Sequence, residues 1–326
     1  MPGVPGPRRY SDHPRSQPRL VAAARPTPLR VLVSGASGFI GAELCRQLEA
    51  DGHTVLRLVR RAPTGPNEFR WSPSEKTVDA AAIESADAVI NLAGATTGRI
   101  PWTRAYKREI LYSRVNGTTT LAEAIRASSN PPTIFLNGSA VGYFGDQPGV
   151  ALDESGAKGE GFLSDVVQAW EKAAHLAPPT TRVVTFRTGL VVGHGGAFTP
   201  LALLTRVGLG ARIGTGRQNW PWISLHDEAA AIRHLLTSSL TGVVNLAGPT
   251  PATSVQVTRA LATALRRWHL LVVPTFALRL LGDAGEDLLL TSEKVVPAKL
   301  LADGFVFRDA TIEKAVAAEF SDAARV

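Results

Sequence analysis

Residues 29–41, LRVLVSGASGFIG, carry an aliphatic run straight into three glycines at intervals of three, Gly35, Gly38 and Gly41. The segment that follows, AELCRQLEADGH, places Leu44, Cys45 and Leu48 on one helical face and ends near Gly52. A buried strand, a glycine turn and an amphipathic helix in that order form the first half of a βαβ unit. The first glycine permits the tight turn, the second admits a pyrophosphate close to the backbone, and the third lets helix pack against strand. The opening of the helix then presents unpaired N–H groups and the positive end of its dipole to an anion. Gly35, Ser37, Gly38, Phe39, Ile40 and Gly41 are therefore the expected cofactor cradle.

The same alternation continues. TVLRLVRR reads as a second strand, and APTGPNEFRWSPSEKTVDA as a loop with at most one short strand. AIESADAVINLAGA gives a short helix and a strong strand, and RAYKREILYSRVNGTTTLAEAIRA a long amphipathic helix. TIFLNGSA, VVQAWEKAAHLA and RVVTFRTGLVVG then supply strand, helix and strand. Strands separated by helices of this length predict an α/β fold, a Rossmann-type doubly wound parallel sheet. After Gly193 the rhythm weakens, with GGAFTP, GLGARIGTG and NWPWIS. The expected organisation is a tail over 1–28, a dinucleotide-binding domain over 29–193, and a smaller substrate lobe over 194–326 that sends some chain back to the sheet.

Composition narrows the function. The 326 residues are 44% hydrophobic and 19% charged, which suits a globular chain. A single cysteine, Cys45, rules out an intramolecular disulfide and a multi-thiolate metal site. No His, Asp and Glu spacing suggests a metal. No apolar run reaches the ~18 residues of a membrane span, and the expectation is a soluble, cytoplasmic protein. Of the +7 net charge, Arg8, Arg9, Arg15, Arg19 and Arg25 against Asp12 lie in the Pro-rich first 28 residues. Those residues read as a disordered tail, native or left by a start codon set too far upstream. The remaining charge forms no basic run, so no nucleic-acid partner is expected.

The second strand ends in Arg60 and Arg61, where a site for the unphosphorylated dinucleotide carries an acid for the ribose 2′-hydroxyl. Two guanidiniums suit a 2′-phosphate, and the expected cofactor is NADP(H).

GASGFIG followed by INLAGA (90–95) resembles the extended short-chain dehydrogenase/reductases. The similarity is greater to an atypical, epimerase-like branch with a C-terminal domain of unknown function. It runs through SRVNGTTTLAEAI (113–125), NGSAVGYFGD (137–146), WEKAA (170–174), RTGLVVGHGGA (187–197), WISLHDEAAAI (222–232) and VVPAKLLADGFVF (295–307). The resemblance implies that Ala93 and Gly94 pass beside the adenine or ribose and that Ser139 and Tyr143 lie near the nicotinamide.

The chemistry departs from that family's Tyr-x-x-x-Lys, in which Lys lowers the Tyr pKa and Tyr exchanges the proton as hydride moves. The residues four beyond Tyr10, Tyr106, Tyr112 and Tyr143 are Pro14, Ile110, Asn116 and Gln147. In the helix where the pair belongs, the two slots fall at Leu163 and Val167 or at Phe162 and Val166. Tyr143, with Ser139 as helper, is the remaining candidate for proton transfer. Arg187, at a strand's C-terminal end, either meets a ligand anion or forms a structural ion pair. Trp220 and Trp222 either wall a substrate or belong to the core of the second lobe; Arg99 and Trp102 are expected to face the cleft. Asp146 and Glu154 read as a solvated loop, Lys172 as exposed, and His226–Asp227 as a helix cap. Two functions remain open: an NADP(H)-dependent oxidoreductase or epimerase on a small-molecule substrate, and an NADP(H)-binding sensor or scaffold without turnover. The long amphipathic helix can pair in a homodimer or spend its apolar face on the sheet.

Overall fold

The computed structural model describes residues 27–321, and nearly all of the expected tail lies outside them. Eight strands form one sheet: β1 (Arg30–Ser34), β2 (Thr54–Val59), β3 (Glu68–Ser72), β4 (Thr77–Val78), β5 (Ala88–Asn91), β6 (Ile134–Ala140), β7 (Arg182–Thr188) and β8 (Gly242–Leu246). Their spatial order is β8-β7-β6-β5-β1-β2-β3-β4, parallel throughout except for the β3–β4 hairpin. From β1 the chain winds outward to β2, then returns to place β5 on the other side of β1. That reversal opens a crevice beyond the carboxyl ends of β1 and β5, where ligands of such sheets bind.

Strand interiors such as Val31–Ser34 and Ala88–Asn91 are buried on both faces, because helices cover both. On one face α1 (Phe39–Ala50) and α6 (Leu225–Thr237) bury Leu44, Leu48, Ile232 and Leu235 against Val31, Val33 and Leu136. On the other, α2 (Ala80–Glu84), α3 (Arg104–Ala127) and α4 (Phe162–Ala174) cover Leu32, Val89 and Phe135, with Ile83, Leu121, Ile125 and Ala174.

The stretch after β2 holds two strands where the sequence suggests at most one. Trp71 explains the difference. It is buried among Leu56, Leu58 and Leu121 and lies against Gly117 of α3, with the partly buried Phe69 packed on the same core. Two aromatic side chains anchor a short strand whose other residues are polar. After Val192 the chain builds a second core from Phe198, Trp220, Trp222, Val257, Leu261, Val316 and Phe320, using α5 (Phe198–Arg206), α7 (Ser254–Ala264) and the helix Ile312–Phe320. Between these, α6 and β8 return to the main sheet.

Candidate functional site

The turn after β1 is a cradle with no room for side chains. Gly35 has φ +72°, and a Cβ there would lie 2.9 Å from the carbonyl carbon of Leu92. A Cβ on Gly41 would collide with the carbonyl oxygen of Gly35, which already accepts from the Gly38 N–H at 2.9 Å. Side chains cap α2, α3 and α6, through Asp79, Thr103 and Ser224. By contrast α1 opens on Gly38 with no side-chain cap and no acid in its first turn. Its leading N–H groups therefore face outward beside the exposed Ser37 and Gly38, ready for an anion. Phe39 lies under the loop after β7, where a Cβ on Gly193 would come 2.7 Å from its ring. Ile40 packs against the sheet core.

At the end of β2 the two arginines separate. Arg61 grips the Glu68 carboxylate with two bonds of 2.8 and 2.6 Å. That pair, with the Thr64 N–H and hydroxyl, pulls the Glu68 carboxyl down to about 2. Arg60 is exposed and pairs with no acid among the described residues. The paired guanidiniums expected here thus reduce to one free cation and one already neutralised.

Below the crevice lies a polar network that sequence reading missed. Ser34 and Asn91 end β1 and β5, and Asn137 lies beside Asn91 in the middle of β6. The Ser34 hydroxyl donates to Asn91 Oδ1 at 2.6 Å, and the Asn91 amide donates to Thr118 and Asn137 at 3.0 and 2.7 Å. The Trp170 indole N–H donates to the same Thr118 hydroxyl at 2.9 Å. All five side chains are buried, and satisfying one another fixes the strand ends that carry the turn. The available signal was an Asn at the end of one apolar strand and inside the next, in INLAG and LNGSA.

Beside this network Glu171 of α4 is a hub. Arg187 of β7 meets it with Nε–Oε1 2.8 Å and Nη2–Oε2 2.9 Å, while the Ser139 hydroxyl donates to Oε1 at 2.6 Å. Arg187 is 3% exposed, and its guanidinium stacks 3.5 Å from the centre of the Tyr143 ring. Of the two readings open for Arg187, the structure has the ion pair, with Nη1 left buried and without a partner. The Ser139 hydroxyl already donates its hydrogen bond to Glu171. Tyr143 is half-buried, and its hydroxyl bonds to no group among the described residues. Leu163 packs against Gly142, Val166 and Val167 are buried, and no lysine enters the dyad position. Instead the Asp287 carboxylate reaches in from the second lobe to accept from the Leu163 N–H at 3.1 Å.

The other candidates resolve into structure. Trp220 and Trp222 are core of the second lobe. Trp102 is buried edge-on against Phe162, and Arg99 lies over the Tyr106 ring. Lys172 is exposed. Asp146 and Glu154 are not free in solvent. They accept backbone N–H groups from Ser292 at 2.8 Å and from Asn245 at 3.1 Å, fastening their loop to distant chain. The cap of α6 is Ser224 rather than Asp227, whose buried carboxylate holds the N–H groups of Arg308 and Asp309 at 3.0 and 2.9 Å. Glu228 and Glu293 are also buried, and loss of water pushes each carboxyl up to about 8. Among the described residues no cluster of His, Cys, Asp and Glu could hold a metal, and no helix is long and apolar enough to cross a membrane.

The NAD dependent epimerase/dehydratase family profile matches residues 31–247, from β1 to just past β8. The chain belongs to that family. A second profile, a domain of unknown function (DUF1731), matches residues 273–319. An epimerase family protein of Mycobacterium leprae is 39% identical over 290 residues, covering 88% of this chain and 94% of its own. The crystal structure of the human epimerase family protein SDR39U1 with NADPH superposes with a TM-score of 0.81 at 33% identity, over 88% of this chain and 98% of that one. The Thermus thermophilus UDP-glucose 4-epimerase in complex with NAD, at 21% identity and TM-score 0.69 over 88% and 96% of the two chains, shares the fold alone.

Proposed function

We propose that this chain binds NADP(H) along the crevice between β1 and β5 and acts as an oxidoreductase or epimerase-like enzyme on a small substrate. The observation that carries the reading is the glycine cradle joined to an uncapped helix start, with Arg60 unpaired at the end of β2. The residues fit the cofactor. Gly35, Gly38 and Gly41 clear the space that a diphosphate needs, the first N–H groups of α1 hold its charge, and Arg60 takes the 2′-phosphate. Ala93 and Gly94 border the adenosine side. The human relative crystallised with NADPH supports the choice of the phosphorylated dinucleotide.

A bound nicotinamide would supply or accept hydride. For the proton, Tyr143 offers a hydroxyl with no partner among the described residues, on a ring held by stacking against the Arg187 guanidinium. Ser139 and Glu171 fix the Arg187 fork and so hold the ring. A second reading, a dinucleotide-binding protein without turnover, draws on the apolar Leu163 and Val167, which leave no lysine to hold a ribose or activate a phenol.

Parallel fluorescence titrations with NADPH and NADH test the cofactor. NADPH should bind more tightly, and Arg60→Ala should lose about 10–100-fold for NADPH while NADH changes little, as expected for a charge-assisted bond to phosphate. Equal affinities for the two dinucleotides would remove Arg60 from the site.

A further inference from the structure

A second cation stands at the same crevice without an acid to balance it. Arg114 lies on α3, within SRVNGTTTLAEAI. Its side chain crosses the turn that follows β5. A Cβ on Gly94 would come 3.3 Å from its Cγ and 3.4 Å from its Cζ, so the glycine makes way for the guanidinium. The guanidinium also stacks 5.1 Å from the Trp170 ring centre, and Nη1 donates to the Ile110 carbonyl at 3.1 Å. Nε and Nη2 donate to no group among the described residues. The turn carrying Gly94 is also the one that Gly35 touches through Leu92, so cradle and cation share one crevice.

A surface arginine would be bathed in water, and a core arginine would meet an acid as Arg187 meets Glu171. Arg114 is only partly buried, and it meets no acid among the described residues. Burial pushes its pKa down to about 10, a cost that its single carbonyl bond and its stacking on Trp170 do little to offset. Trp170 and Gly94 hold the side chain in place, while two of its three nitrogens stay available.

From this geometry we infer that Arg114 is an anion-binding residue of the cleft, donating through Nε and Nη2 to a phosphate or carboxylate group of a bound ligand. The placement rests on the dinucleotide reading above. Two sources share this chemistry, the diphosphate of the cofactor and an anionic group on the substrate. The position over Gly94, in the turn that Gly35 also touches through Leu92, favours the adenosine-side phosphate of the cofactor's diphosphate.

Calorimetric titration of the whole chain, wild type and Arg114→Gln, separates the sources. The probes are NADPH, adenosine 2′-monophosphate, and inorganic pyrophosphate with and without NADPH present. Adenosine 2′-monophosphate has the 2′-phosphate and neither phosphate of the diphosphate. Loss of about 10–100-fold in NADPH affinity, with the monophosphate unchanged within about twofold, assigns Arg114 to the diphosphate. Unchanged NADPH affinity with pyrophosphate binding to the NADPH-loaded protein weakened to the same extent assigns it to the substrate side. Arg114→Met keeps the aliphatic contact with Trp170 and serves if the Gln variant melts early. A folded variant that binds NADPH and pyrophosphate as the wild type does overturns the inference. If the wild type fails to bind NADPH, the dinucleotide reading falls separately. Pyrophosphate without NADPH then decides for Arg114: Arg114-dependent binding upholds an anion site, and its absence overturns it.

Discussion

Glu171 and Arg187 offer the most direct test of how the site is held. Their two bonds of 2.8 and 2.9 Å lie in the interior, with side chains 10% and 3% exposed for Glu171 and Arg187 respectively. Replacing Glu171 by Leu conserves much of the volume but leaves the guanidinium buried with no counter-charge. Arg187 Nη1 already lacks a partner, so all three nitrogens would be left unpaired, and the Ser139 hydroxyl would lose its acceptor. Removing one member of such a pair costs about 3–5 kcal/mol, against roughly 0–1 kcal/mol for a surface pair. The double variant Glu171→Leu/Arg187→Met removes both charges and keeps an aliphatic stem against Tyr143. It should therefore cost much less than the sum of the single changes, since most of each single loss is an uncompensated buried group. Urea denaturation of the four proteins at pH 7, completing the cycle with Arg187→Met, measures this. A single-variant cost under about 1 kcal/mol, or a double variant equal to the sum, would refute the picture of a tightly coupled interior pair.

Three further outcomes follow from individual positions. Gly41→Ala drives a methyl into the Gly35 carbonyl oxygen, which belongs to backbone and yields little. We expect a loss of about 1–3 kcal/mol and no NADPH binding, and a variant that melts and titrates like the wild type would contradict it. Tyr143→Phe should lower any reduction found in a screen of aldehydes, ketones, quinones and nucleotide sugars by about 10²–10⁴-fold at unchanged NADPH affinity. Full activity in that variant would transfer the proton to another donor. Glu228 stays protonated up to about pH 8 in the folded chain, whereas its ordinary value is 4.5. The native state therefore holds more protons than the unfolded one between those values, so this group's contribution is intact below about 4.5 and is lost as pH rises through about 8. Glu293 acts in the same direction. Glu228→Gln should roughly halve the combined decline, on the order of a few kcal/mol per group, and urea midpoints at pH 5, 6.5 and 8 that fall as steeply as in the wild type would show that Glu228 ionises normally.

Most of the architecture could be read from the chain because strands and helices announce themselves over a few residues. LRVLVSG and AVINLAG are buried on both faces and read as aliphatic runs. The glycine turn is equally local, since Gly35, Gly38 and Gly41 answer to one another and to the strand before them. The stretch after β2 was legible as one short strand and not two, because only Trp71 and Phe69 supply its burial.

What the sequence left open was the pairing of charges. Arg60 and Arg61 are neighbours with identical chemistry, yet Glu68 faces only the second, because the register of β3 on β2 and the turn at Thr64 bring that carboxylate to Arg61. Arg187 finds Glu171 from a helix sixteen residues earlier, across a sheet face that no local pattern encodes. Arg114 sits two turns inside an amphipathic helix, and nothing in SRVNGTTT marks it as the arginine without an acid. Whether a cation is neutralised inside the protein or kept for a ligand depends on which side chains the folded sheet places within about 3 Å of it. In this crevice that distinction separates Arg61 and Arg187, each paired with a carboxylate, from Arg60 and Arg114, which meet no acid among the described residues and so can take the charge of a ligand.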